Sequence, residues 1–105
     1  MLNLNELKNS EINTKPYNYI VLKNFINNQS LDNARRDYPV VPGPGSHPPN
    51  GLKIHGGFKL LMEELLGSDF REMIESKFEV NLKDYPTMYT VRGYCRAKDG
   101  KIHTD

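Results

Sequence analysis

Residues 87–105 read TMYTVRGYCRAKDGKIHTD, and the alternation in this stretch decides what kind of domain the chain can build. In an extended chain successive side chains point to opposite faces. From Met88 onward one face collects Met88, Thr90, Arg92, Tyr94 and Arg96, and the other collects Tyr89, Val91, Gly93, Cys95 and Ala97. The second set is mostly small and apolar, as a face packed on a core or on another sheet must be. The first set carries the groups capable of chemistry. Pro86 stands at the head of the strand, where its missing N–H is tolerated. Asp99-Gly100 is a strong signal for a two-residue hairpin turn. It leads into Lys101-Ile102-His103-Thr104-Asp105, where Lys101, His103 and Asp105 share a face while Thr104 points away. An imidazole and a carboxylate side by side are two thirds of the 2-His-1-carboxylate set that holds non-haem Fe(II). The plain alternative is a polar strand end with both groups solvated, because His-X-Asp arises often by chance.

Working back from this strand, residues 58–66 place Phe58, Leu61, Met62, Leu65 and Leu66 at helical spacing, with Glu63 and Glu64 largely on the opposite face. This predicts an amphipathic helix, stopped at Gly67. Residues 70–78 predict a second helix burying Phe70, Met73, Ile74 and Phe78, with Ser68-Asp69 as caps. Glu63, Glu64, Glu72 and Glu75 read as solvated, since no His stands at the offset of a helical di-metal site. Residues 38–51, YPVVPGPGSHPPNG, exclude regular helix or central strand. They form either a linker or an ordered loop lying across the domain. His47 lies in that loop, as a solvated side chain or, less simply, a metal ligand. Further back, residues 17–26, YNYIVLKNFI, predict a strand from their aromatic and β-branched run. Asn28 or Ser30 would then cap a short helix over 31–37 that Pro39 ends. Residues 1–16 predict a short helix or an extended arm, with Leu2, Leu4 and Leu7 on one side.

The chain of 105 residues suffices for one domain, 1–105, and one core. With 37% hydrophobic and 26% charged residues it falls in the globular range. A net charge of +1 provides no broad electrostatic footprint for nucleic acid or an anionic membrane. The single cysteine, Cys95, cannot close an internal disulfide and suits a reducing compartment. The polar N-terminus lacks the apolar core of a secretory signal, and no apolar run approaches the length of a membrane span. The expectation is a soluble cytoplasmic protein.

Taken together, GPGSHPPNGLKIHGGF, LLMEELLGSDFREMIESKF and DYPTMYTVRGYCRAKDGKIHTD resemble a bacterial family of 2-oxoglutarate- and Fe(II)-dependent oxygenases. In that family a PT-x-x-TVRGY strand leads through K-DG-K into IHTD. The resemblance covers residues 38–105 and is densest over 86–105. It implies an α+β fold, with N-terminal helices packed on an incomplete double-stranded β-helix (jelly-roll) sheet. His103 and Asp105 would be the first two Fe(II) ligands, and Tyr94 and Arg92 the contacts to 2-oxoglutarate. The reaction implied is hydroxylation of a substrate C–H bond coupled to decarboxylation of the co-substrate. The family places its distal His and the basic residue for the far carboxylate of 2-oxoglutarate downstream of the HxD pair, whereas His47 and His55 lie upstream of it. The expectation is therefore the N-terminal portion of an oxygenase, inactive by itself. The rival expectation is a small non-catalytic α+β binding module in which His103 and Asp105 are incidental.

Overall fold

Residues 1–94 are described in a computed structural model of the chain, and its helices begin and end for reasons written in their flanks. The first helix, α1, spans Leu4–Asn9 and buries Leu7. The second, α2, spans Asn28–Arg36, three residues earlier than the pattern predicts. Its cap is Asn27 rather than Asn28 or Ser30: the Asn27 side-chain oxygen accepts from the Ser30 N–H at 2.8 Å, satisfying one free donor of the first turn. Asp37 closes α2 just ahead of Pro39. The predicted helix over 58–66 is α3, Gly56–Leu65, and that over 70–78 is α4, Ser68–Phe78. Two short strands, β1 (Ser46–His47) and β2 (Val91–Arg92), pair antiparallel with Ser46 opposite Arg92 and His47 opposite Val91. A single 3-10 turn, Pro49–Gly51, links β1 to α3. Among the described residues the chain is thus α+β, with four α-helices and one two-stranded sheet.

Helix α2 packs on α3, and α1 on α4. The α2–α3 seam buries Ala34, Phe58 and Leu61, with the Tyr38 ring edge-on to Phe58 at 5.2 Å between centroids. Close approach of the two helices needs Gly57, where a Cβ would fall 2.6 Å from Asn33 Cβ. On the α1–α4 side Leu7 is the buried anchor. An open apolar cavity of about 270 Å³ lies beside it, lined in part by Ile20, Leu22, Phe25, Phe70 and Phe78.

The strand expected over 17–26 does not form. The segment instead makes two isolated bridges, Asn13 with Tyr19 and Leu2 with Ile26. The physical reason is the lack, among the described residues, of a neighbour to continue a ladder, together with Asn24 in the left-handed region (φ 58°), which turns the chain out of an extended path. The apolar run still packs: Ile20, Leu22 and Phe25 reach the cavity beside α4, and Phe25 meets Phe70 at 6.0 Å, while Tyr17 and Val21 face solvent. The strand expected from Pro86 is also shorter than its pattern, with regular pairing at Val91–Arg92 alone among the described residues.

Candidate functional site

The alternation read from residues 88–94 is reproduced in burial residue by residue. Tyr89 and Gly93 are half-buried and Val91 is 2% exposed, whereas Met88, Thr90, Arg92 and Tyr94 face outward, Tyr94 at 64%. The two expected co-substrate contacts, Arg92 and Tyr94, therefore stand on one exposed face of β2 and its continuation. His103 and Asp105, the expected metal ligands, lie outside the described residues, as do Cys95, Arg96 and the Asp99-Gly100 turn. Among the described residues no group of three or more His, Cys, Asp or Glu side chains is placed to hold a metal ion.

What holds this strand in place is the Pro- and Gly-rich stretch 38–51, an ordered loop lying across the domain. At its start, the Tyr38 hydroxyl donates to the Arg92 carbonyl at 2.8 Å. In its middle, the Gly93 N–H donates to the Gly45 carbonyl at 2.9 Å. A Cβ on Gly93 would collide with the Gly43 carbonyl oxygen and touch Val41, so the loop backbone rests directly on the strand backbone at that residue. At the far end β1 supplies the two-rung pairing to β2. His47 folds the loop upon itself. Its Nε2 lies 3.0 Å from the Gly43 carbonyl and 3.1 Å from that of Pro44. Both partners are acceptors, so Nε2 carries the proton and donates to both. His47 is accordingly a bracket for its own loop in this structure.

A second polar cluster joins α2 to α3. The Asp37 carboxylate accepts from the Gly57 N–H at 2.7 Å and from the Arg36 guanidinium at 3.0 and 3.2 Å. It thus satisfies a free donor in the first turn of α3 from outside the helix. The Arg36 hydrogen bond foremost, then the Gly57 amide, hold the Asp37 carboxyl at about 2, below its ordinary 3.8. Gly56 permits this with φ 56°, and a Cβ there would occupy the place of the Asp37 carboxylate. Sequence reasoning passed over both Asp37 and Tyr38. Their one signal was position, two polar side chains at a helix end directly before Pro39.

Comparison with known proteins leaves the site to be read from its own residues: no family model, no curated protein and no solved structure matches the chain. No described helix is long and apolar enough to cross a membrane.

Proposed function

We propose that the chain belongs to the Fe(II)- and 2-oxoglutarate-dependent oxygenases. In this reading His103 and Asp105 are two of the metal ligands, Arg92 and Tyr94 contact the co-substrate, and the β1–β2 pair is part of a double-stranded β-helix flanked by the helices. The observation that carries it is the placement of Arg92 and Tyr94 together on one exposed face, with His103 and Asp105 following them in the sequence. The donor set fits the metal, because a neutral imidazole and a carboxylate are donors that Fe(II) takes in facial-triad sites. When bound, Fe(II) and 2-oxoglutarate supply the oxidising chemistry that attacks an unactivated C–H bond. The protein's own groups bind and orient: the planar Arg92 fork pairs bidentately with a carboxylate of the dianion, and the Tyr94 hydroxyl donates a hydrogen bond to one of its oxygens.

The test is thermal denaturation of the full natural chain, extended past Asp105, with Fe(II) and 2-oxoglutarate under anaerobic conditions. A ligand at a hundred times its Kd stabilises the folded state by about 2.7 kcal/mol, so the expected rise in Tm is readily measured. His103→Ala should abolish it. A rise of undiminished size in that variant overturns the iron assignment. A second reading, a non-catalytic binding module, draws on the exposure of Met88 (84%) and Tyr94 (64%) on the same face, since exposed large apolar side chains in one patch mark interaction surfaces. It predicts no response to either ligand in any variant.

A further inference from the structure

The loop that contains His47 touches the strand carrying Arg92 and Tyr94 at every residue from 91 to 93. Val91 and Arg92 pair with His47 and Ser46. The Arg92 carbonyl is held by Tyr38. The Gly93 amide is held by Gly45, and the Gly93 Cα lies against the Gly43 carbonyl with no room for a side chain. The carbonyls of Gly43 and Pro44 are in turn gathered by the His47 ring. One imidazole therefore fixes the piece of backbone against which Gly93 rests, and Gly93 separates the two co-substrate residues. A strand of two rungs has little rigidity of its own. A displacement of about 1 Å in a site can cost on the order of 10²-fold in catalysis, so the placement of such residues has to be held from outside the strand.

We infer that His47 is a positioning residue for the co-substrate half of the site, acting through the Gly43–Gly45 backbone on Gly93 and so on the relative placement of Arg92 and Tyr94. The inference rests on the oxygenase reading for the identity of the ligand and on the geometry above for the mechanical link. It assigns His47 a role distinct from metal ligation. Removal of the ring should weaken 2-oxoglutarate and leave Fe(II) alone unaffected. Glutamine, whose side-chain amide N–H can reach the same two carbonyls, should restore what alanine loses.

The experiment uses the full natural chain and three forms of it: wild type, His47→Ala and His47→Gln. Amide hydrogen exchange is followed at Gly93, with Leu61 in α3 as the internal control for global stability. The thermal shift is measured with Fe(II) alone and then with 2-oxoglutarate added. In His47→Ala, Gly93 should exchange faster by about tenfold or more while Leu61 is unchanged, as local rather than global opening requires. The shift with Fe(II) alone should persist, and the further increment from 2-oxoglutarate should fall. His47→Gln should lie near wild type on every readout. Unchanged Gly93 exchange in His47→Ala overturns the mechanical link. Faster Gly93 exchange with the 2-oxoglutarate increment intact overturns the positioning role and leaves the oxygenase reading standing. A wild-type chain with no 2-oxoglutarate increment overturns the oxygenase reading and with it the ligand assigned here, while Gly93 exchange in His47→Ala still decides the mechanical link, so the two failures are distinguishable.

Discussion

Asp37 shows how a single side chain ties two helices together, and its ionisation makes a pH prediction. The folded carboxyl is held at about 2 by Arg36 and the Gly57 amide, whereas an unfolded Asp titrates near 3.9 (an ordinary reference value). A group depressed on folding contributes stability that is fully present above the unfolded pKa and is lost as pH falls through the folded one. The contribution of Asp37 should therefore be complete above about pH 4 and fade toward pH 2. Asp37→Asn should lower Tm at pH 7 and flatten its decline across that acid window, as read from melts at half-unit pH steps. An unaltered acid limb in the variant would sink the assignment. At Gly93 the constraint is steric. Gly93→Ala pushes a methyl into the Gly43 carbonyl and should cost about 1–3 kcal/mol by urea denaturation, the usual range for overpacking. Neither residue announced its role in the sequence. The alternation 88–94 showed which face Gly93 lies on, but what presses on it comes from 50 residues earlier in the chain, and no local pattern encodes such a neighbour.

Among the elements, α3 and α4 were legible as helices from their spacing, and Phe58 and Leu61 are buried as that spacing requires. Phe70, Met73, Ile74 and Phe78, however, are only half-buried, and Leu66 is exposed. Glu64 and Glu75, expected in solvent, are half-buried acceptors for the Leu2 and Leu82 amides. The first residues of α2 were less legible, because Asn27, Asn28 and Ser30 can all cap, and which one does depends on where the chain enters from Ile26. Residues 17–26 misled for a different reason. Their composition is that of a strand, but strand propensity measures fit to a sheet that must already be there, and here Leu7 and α4 offer an apolar surface without a ladder edge. Leu7 is the side chain on which that side depends. It is 3% exposed yet borders an open cavity, so Leu7→Ala should destabilise by about 2 kcal/mol, the low end for a buried leucine, because some of its surroundings are already loosely packed. Lys77 secures the same pair of helices through its ammonium group, which donates to the backbone carbonyls of Lys8 (3.0 Å) and Ser10 at the end of α1. Lys77→Met keeps the hydrocarbon stem and should cost about 1.5–3 kcal/mol, the usual range for hydrogen bonds made by a charged group. It should also speed amide exchange in α1 before any change appears in α3.

For the whole molecule, the helical spacing over 58–78 and the alternation over 88–94 were visible in the sequence, the α+β class was what the resemblance implied, and the pairing of distant segments was left to be discovered. The prolines and glycines of 38–51 signal the absence of helix, while the partner of Ser46 and His47 lies beyond two intervening helices. That separation has a kinetic consequence. The two rungs join residues about 45 apart in sequence, and closing so long a loop carries an entropic cost that few contacts offset until the intervening helices have formed. The α3–α4 region can assemble from neighbours in the chain, whereas the β1–β2 ladder is expected to form late, after the barrier, and to open early. Truncation of Val91 to alanine should therefore leave the refolding rate nearly unchanged and accelerate unfolding, giving a φ-value near zero, while a truncation in α3 such as Leu61→Ala should slow refolding. Stopped-flow measurement of both arms for the two variants decides the order of events. A Val91→Ala variant that refolds more slowly in proportion to its lost stability would place the ladder in the nucleus instead.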